Sequence, residues 1–574
     1  MLSRFSGIVF GLVCLSTSAR GQYVISTFAG NNSPGSAGDS GPATSAQLNS
    51  PASIALAGGK LYIADANNHR VRVVSGGTIT TFAGNGTAGF AGDGSAAISA
   101  ELNNPTGVAV DSSGNVYIAD TSNNVVRMVN SSGIISTFAG NHSIGAGDTG
   151  DGGVATNGTL EAPTAVAVDS SNNVYITDSV LNLVRKVSGG NLSTVVGFGS
   201  TGGSLNHPNG LLVDSTGAIY ISDTSHRVLK VSNGAITTFA GTGDVGYSGD
   251  NGPATKAVLN NPIGLAMDAS GNIYIADATG YRIRVVAPNG IITTIAGSGH
   301  VGYFGDGSLA LNAYLNFPHG VCFDGLGNVY IADTANNVIR MLTIPAPVIA
   351  PNGVVSSASF LPKISPGSLA SIAGSNLATS TPPGAATPLP ITLAEASVSV
   401  NGQAAPILYA SPTLINFQVP WETATGTATV TVKVAGVTSN SITVPVTATA
   451  PGIFYFSSGA AIAQNRDYSL NTPSNPAHAG SFLIAYLTGS GPVNPAVADG
   501  AATPSTGLVQ TTSQPTVTIG GVNAPVLFSG LTPGLIALLQ LDVTIPSGLA
   551  AGNYRMIVTI GGQVSNSATV SIAP

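Results

Sequence analysis

The tetrad Tyr-Ile-x-Asp recurs six times, ending at Asp65, Asp120, Asp178, Asp223, Asp277 and Asp333, at successive spacings of 55, 58, 45, 54 and 56 residues. Each copy is preceded by a proline (Pro51, Pro105, Pro163, Pro208, Pro262, Pro318) and a short apolar run such as GVAVD, and followed by an alternating run such as VRVV. One such unit cannot bury its apolar face alone, so neighbouring copies must stack. Four short strands per unit, parted by Gly, Asn and Asp turns at a period of about 40–55 residues, predict the blades of a β-propeller.

The fourth strand of a blade is Ile-Thr-Thr-Phe-Ala-Gly at 79–84, with copies at 135–140, 192–197, 236–241 and 292–297. The sixth repeat has none and runs into Pro345-Ala-Pro347. An orphan copy, Ile25-Ser-Thr-Phe-Ala-Gly30, stands near the N-terminus without a blade of its own. It is expected to supply the outer strand of blade six and so close the ring, leaving no exposed strand edges to aggregate. Asp65-Ala-Asn-Asn-His-Arg70 after LYIA, repeated six times over residues 23–342, resembles the NHL repeat, usual form VYVADTGNHRI. The resemblance implies a six-bladed, TolB-like propeller of a kind that often serves as a binding or interaction platform. Relatives of that kind include an amidating lyase and gluconolactonase-like enzymes.

A second motif lies between blades. Gly-Asp, with a Leu nine residues after the Asp, occurs at Asp39, Asp93, Asp151, Asp250 and Asp306, and is missing before blade four, between Gly197 and Leu205. It reads as a turn plus a short helical piece, the Asp capping backbone N–H groups. Five copies on one face should form a collar around a rim.

From Pro345 the texture changes. Residues 343–353 read as a proline-rich linker. Beyond it, Val398–Tyr409 is mirrored by Val517–Phe528, and Ser439-Asn-Ser441 by Ser565-Asn-Ser567. This duplication and its alternating runs predict two Ig-like β-sandwiches, 354–449 and 450–574. INFQVPWE at 415–422, with SPGSLASIAG at 365–374, resembles the uncharacterised C-terminal domain of secreted acidobacterial (Solibacter-type) proteins. The expected class is thus all-β throughout.

Residues 1–21 read as a cleavable export signal: Arg4, the apolar run Phe5–Leu15, then Ala19-Arg20-Gly21 before Gln22. A secreted chain, extracellular or periplasmic, is expected, with no transmembrane segment in its mature form. Once the signal is removed, Cys322 is the only cysteine, so no intramolecular disulfide can form; it reads as a buried, inert thiol. Only 7% of residues are charged and the net charge is −7, with 18 basic residues spread thinly. A nucleic-acid partner, which needs clustered Lys and Arg, is disfavoured.

Chemistry particular to one site belongs where the repeat is broken. Of 21 Asp, 16 are locked to the repeat and read as blade-building devices. The same holds for His69 and His226, which fill the Asn/His slot of the repeat, and for Arg72, Arg127, Arg185, Arg284 and Arg340, each seven residues after a tetrad Asp. There is no G-x-S-x-G elbow, phosphate-binding loop or H-E-x-x-H pair. The residue after each blade proline should ring one mouth of the central channel: Ala52, Thr106, Thr164, Asn209, Ile263 and His319. Thr106, Thr164, Asn209 and His319, with nearby His207, are the candidate ligand-binding residues there. In the lyase relatives several His from such positions hold a metal; a lone His319 falls short of the three ligands zinc wants. Asp148-Thr-Gly-Asp151-Gly is the densest acidic loop and the candidate for calcium, though it lacks an EF-hand spacing. No cofactor is expected. On the rim, Phe90, Tyr247, Tyr303 and Phe304 are candidates to stack on a sugar or receive a peptide. The reading that follows is a secreted, non-enzymatic binding or interaction scaffold whose partner is an extracellular protein, peptide or glycan. The alternatives are an exported hydrolase or lyase working at the channel mouth, and a carbohydrate-binding or adhesion protein.

Overall fold

The computed structural model describes residues 23–144, 148–197, 204–382 and 384–574; the expected export signal lies outside them. The described chain divides into two compact units, one ending at Ile344 and one spanning Pro345–Pro574. The first holds six sheets, each a four-stranded antiparallel meander, and two of these carry a fifth short strand, Gly41–Pro42 or Gly252–Pro253. In blade one the order from the axis outward is Pro51–Ala57, Lys60–Asp65, Arg70–Ser75 and Thr78–Ala83. Blade six takes its outer strand from the N-terminus: Val24–Ala29 pairs antiparallel with Val338–Thr343, Val24 opposite Thr343. The orphan motif thus closes the ring.

The recurrent TFAG motif has a structural cause. In each outer pair the register slips by one residue, as between Thr81 opposite Arg72 and Ala83 opposite Val71. The extra residue of this bulge, Phe82, meets the tetrad tyrosine Tyr62 edge-on at 5.0 Å. Phe138 and Tyr117, Phe239 and Tyr220, and Phe28 and Tyr330 repeat the contact at 4.8–5.0 Å. The tetrad Asp residues are fully buried. They accept backbone N–H bonds from the segment ahead of the inner strand, as Asp65 does from Asn49 at 2.7 Å. By contrast, the Asp residues that end the inner strands cap their own turns: Asp111 accepts from the N–H groups of Ser113 and Asn115.

The Asn/His slot of the repeat is left-handed in all six blades, with φ of 53–60° at His69, Asn124, Asn182, His226, Tyr281 and Asn337. Its side chain reaches the next blade and accepts the N–H just ahead of that blade's proline. His69 takes it from Asn104, Asn124 from Ala162, His226 from Asn261 and Asn337 from Ser50. At Tyr281 a ring contact with Phe317 at 5.7 Å stands in its place. The name-giving residues of the motif are therefore seam pins between blades.

The Gly-Asp inserts depart from expectation in one respect. Each contains a short 3-10 turn, such as Ala43–Ser45 or Ala310–Asn312, but no side chain caps one. Their Asp carboxylates reach the arginines of the third strand, and Asp151 and Asp250 also accept the backbone N–H groups of Thr194 and Thr294 in the outer strand. Arg72, Arg127, Arg185, Arg284 and Arg340 are completely buried, and each meets an insert Asp at 2.5–2.7 Å and the tetrad Asp of its own blade at 3.3–4.0 Å. A buried guanidinium must be paired, because leaving it bare costs several kcal/mol. Blade four shows the rule by exception. It lacks the insert, and the position opposite the tetrad isoleucine, occupied by Arg72 in blade one, is Leu229. The two halves of the device are lost together, and Asp223 turns to Arg227 at 3.4 Å instead.

The second unit contains two pairs of sheets, each enclosing its own apolar core. Residues 343–353, expected to form a linker, are in part strand. Val348–Ser356 forms a sheet edge against Leu369–Ser375, with the register broken between Ile349 and Val354. Pro351, which has no N–H to donate, lies in that break, as a proline on an edge strand should. The sequence duplication is structural. Asn440 clamps the N–H and C=O of Ile349, and Asn566 clamps those of Ile453 in the same way.

Candidate functional site

Each inner strand begins Pro-x-small-aliphatic. The six strands converge at the small third residue, which is Ser53, Gly107, Ala165, Gly210, Gly264 or Gly320. A Cβ added at Gly210 would lie 1.7 Å from the Ile263 carbonyl oxygen, and one at Gly264 would lie 2.0 Å from that of His319. Glycine is required here by the close approach of neighbouring backbones. Above this belt is a cavity of about 350 Å³ at the mouth of the channel. Ala52, Thr106, Thr164, Asn209, Ile263 and His319 all line it, as the spacing predicted. Its floor is a ring of six aliphatic side chains: Ile54, Val108, Val166, Leu211, Leu265 and Val321. This floor was not among the expected site residues, although the sequence carries its signal. The third residue after every blade proline is a branched aliphatic, and alternation turns it to the same side as the mouth residue.

The mouth is lopsided. Thr106 Oγ donates to the Thr164 carbonyl at 2.9 Å, and Thr164 Oγ donates to the Pro208 carbonyl at 3.1 Å. Thr121 and Thr334 make similar latches to Pro163 and Pro51. These hydroxyls are therefore spent on joining blade two to three, blade three to four and blade six to one. Asn209 and His319 have no side-chain hydrogen-bond partner among the described residues, and Ile263 lies between them in the ring. Burial in the channel lowers the His319 pKa to about 4, so its imidazole is neutral at pH 7. Among the described residues no Asp, Glu, Lys or Arg lines the cavity. General acid–base catalysis by His319 would want a second polar group to orient the ring, and none bonds to it among the described residues. His207, expected at this mouth, is not part of the lining. Its left-handed φ of 44° turns it outward, where Nδ1 lies 3.0 Å from Asn206 Oδ1.

The rim aromatics serve the buried arginines. Phe90, Tyr247 and Tyr303 lie over Arg127, Arg284 and Arg340, with 4.7–5.0 Å from guanidinium carbon to ring centre. Tyr247 and Tyr303 also donate to Asp250 and Asp306. Phe304 is 59% exposed and leans on Tyr314 at 5.2 Å. Three of the four rim candidates thus cover ion pairs, and Phe304 keeps an open face. The acidic loop at Asp148–Gly152 is also occupied: Asp148 and Asp151 meet the one guanidinium of Arg185 at 3.0 and 2.6 Å, so both carboxylates proposed for calcium already have a cationic partner. Among the described residues no three His, Cys, Asp or Glu side chains are gathered in a group that could hold a metal. Cys322 is half-buried, and burial pushes its thiol pKa up.

Comparison with known proteins agrees with the geometry. Residues 85–148 and 242–303 match the Teneurin NHL domain, and residues 48–74 and 315–340 match the NHL repeat. The fold and the matched repeats define an NHL-repeat β-propeller. Among curated relatives, the chloroplastic protein SUPPRESSOR OF QUENCHING 1 of Arabidopsis thaliana is 31% identical over 271 residues, 43% of this chain and 25% of that protein. Human Teneurin-1 is 30% identical over 181 residues, 29% of this chain and 6% of that protein. The chain spans a quarter or less of the length of these two relatives. A solved structure of a protein of unknown function from Bacteroides thetaiotaomicron is similar at a TM-score of 0.44 and 22% identity, over 56% of this chain and 76% of that one.

Proposed function

We propose that the protein is an exported, non-enzymatic binding module whose propeller channel mouth holds an uncharged polar ligand. One observation carries this reading: among the described residues the cavity is lined by three side chains with unspent hydrogen-bonding capacity, Asn104, Asn209 and His319, and by no charged residue. A cavity of about 350 Å³ is at the small end of the range for ligand pockets, roughly 300–1,000 Å³. A carboxylate, phosphate or ammonium entering it would lose its hydration and meet no counter-charge, which is costly. An uncharged group with a donor and an acceptor would gain both partners. Export rests on Arg4, the apolar run Phe5–Leu15 and the small residues ahead of Gln22. The extracellular partner would be a protein, a peptide or another uncharged molecule presented to the mouth.

The test is a thermal-shift screen of uncharged and charged small molecules against the full chain and against His319→Leu and Asn209→Leu variants. Stabilisation by uncharged compounds that either variant abolishes is the expected result. Stabilisation only by anions or cations, unchanged in both variants, would refute the proposal. Mass spectrometry of protein recovered outside the producing cell should find Gln22 at the N-terminus.

A further inference from the structure

The ligand class can be narrowed, on the premise that the channel mouth is a binding pocket. Asn209, Ile263 and His319 form one continuous arc, because their strands abut at the glycine belt. Within that arc the two unspent polar groups flank an isoleucine, and beneath it lies the aliphatic ring of Ile54, Val108, Val166, Leu211, Leu265 and Val321. We infer that the mouth receives a trans secondary amide bearing a branched aliphatic group, the amide bridging Asn209 and His319 across Ile263 and the aliphatic group resting on the floor.

The chemistry of the amide fits that arc. A trans secondary amide presents its N–H and its C=O on opposite edges, so it suits two separate partners on either side of a wall. A primary carboxamide would instead be satisfied by Asn209 alone. The Asn209 amide and a neutral imidazole each carry a donor and an acceptor, so one can take the N–H while the other gives to the C=O. Except for the His319 imidazole, no aromatic ring lines the cavity among the described residues, and a pyranose would find no stacking platform on them. An ester of the same shape lacks the N–H and leaves a buried acceptor unpaired, which a site built for hydrogen bonds penalises strongly.

This chemistry has two sources, the apolar tip of a peptide loop and a free small amide. Isothermal titration at pH 7 would use N-(3-methylbutyl)acetamide, its ester analogue 3-methylbutyl acetate, N-acetyl-leucine N′-methylamide and methyl glucoside. The simple amide is expected to bind at least tenfold more tightly than the ester. Its affinity should fall at least tenfold in His319→Leu and in Asn209→Leu, whose melting temperatures should match that of the parent chain. Tighter binding of the capped leucine assigns a peptide source; equal binding assigns a small amide. Ester and amide binding within twofold of one another would overturn the amide inference, as would amide binding unchanged in both variants. Methyl glucoside binding that depends on His319, with no amide binding, would overturn the amide class and leave the binding pocket standing. If no uncharged probe bound at millimolar concentration, both would fall.

Discussion

At the scale of single residues, the most demanding groups are the five buried arginines. Each shares its guanidinium between an insert Asp and a tetrad Asp, Arg185 meeting Asp148 as well, and the tetrad Asp is the most deeply buried partner. Replacing Arg284 by Leu strands Asp277 in the interior and should cost about 3–5 kcal/mol in a urea unfolding experiment. Adding Asp277→Asn should recover part of that loss. Burial pushes the carboxyl pKa up to about 6 in Asp65, Asp120 and Asp333, and to about 7 in Asp178 and Asp277. The unfolded chain ionises these groups near pH 4, so between pH 4 and 7 the folded state binds more protons. Their contribution therefore favours the folded state at the acid end of that window and weakens as pH rises through 6–7. The melting temperature should be higher at pH 5 than at pH 8, and Asp277→Asn should flatten the difference. A melting temperature that rises steadily from pH 5 to pH 8 would contradict this. The capping carboxylates Asp111, Asp169 and Asp214 have lowered pKa values, so their contribution, lost as pH falls, changes below about pH 4 and leaves this window undisturbed.

At the scale of the element, the inner strands carry the site and the glycine belt sets their spacing. Gly264→Ala would drive a methyl group into the His319 carbonyl, 2.0 Å away. A backbone oxygen cannot swing aside as a side chain can, so destabilisation of about 1–3 kcal/mol is expected, with a widened mouth. Calorimetry that found no change would show that the strands are more loosely gathered than described. Much of this level was legible in the sequence. The prolines and tetrads gave the strands, and the residue after each proline gave the ring of the mouth, His319 and Asn209 included. Hydrogen bonding across blades was not legible. Thr106 and Thr164 looked as available as Asn209, because nothing local reveals that their hydroxyls are spent on the carbonyls of the next blade. Phe90, Tyr247 and Tyr303 looked like a rim waiting for a ligand for the same reason: the arginines they cover are 37 residues further along the chain. The partnership of insert and arginine could have been found, since both are lost in the same blade.

At the scale of the whole molecule, the ring depends on one strand from the N-terminus. Asp306 fastens it: its carboxylate accepts from Thr27 at 2.7 Å and pairs with Arg340 at 2.7 Å, so strand, insert and blade six meet at one side chain. Removing residues 1–30 should expose the edge of Val338–Thr343 and bring rapid proteolysis in blade six or strand-exchanged oligomers, both visible by size-exclusion chromatography. A truncated chain that stayed monomeric and protease-resistant would show that the closing strand is dispensable. The count of blades and the closing strand were readable because an unpaired copy of a repeat has only one place to go.

The pairing of Val24 with Thr343 also sets a clock. During synthesis at roughly 5–20 residues per second, tens of seconds separate the emergence of the two partners. Throughout that interval the first strand made has no sheet to join, and a chain that stops short of blade six never offers it one. Completion of the ring is therefore a proofreading event, in which a strand made before any blade is paired only after the last blade has been made.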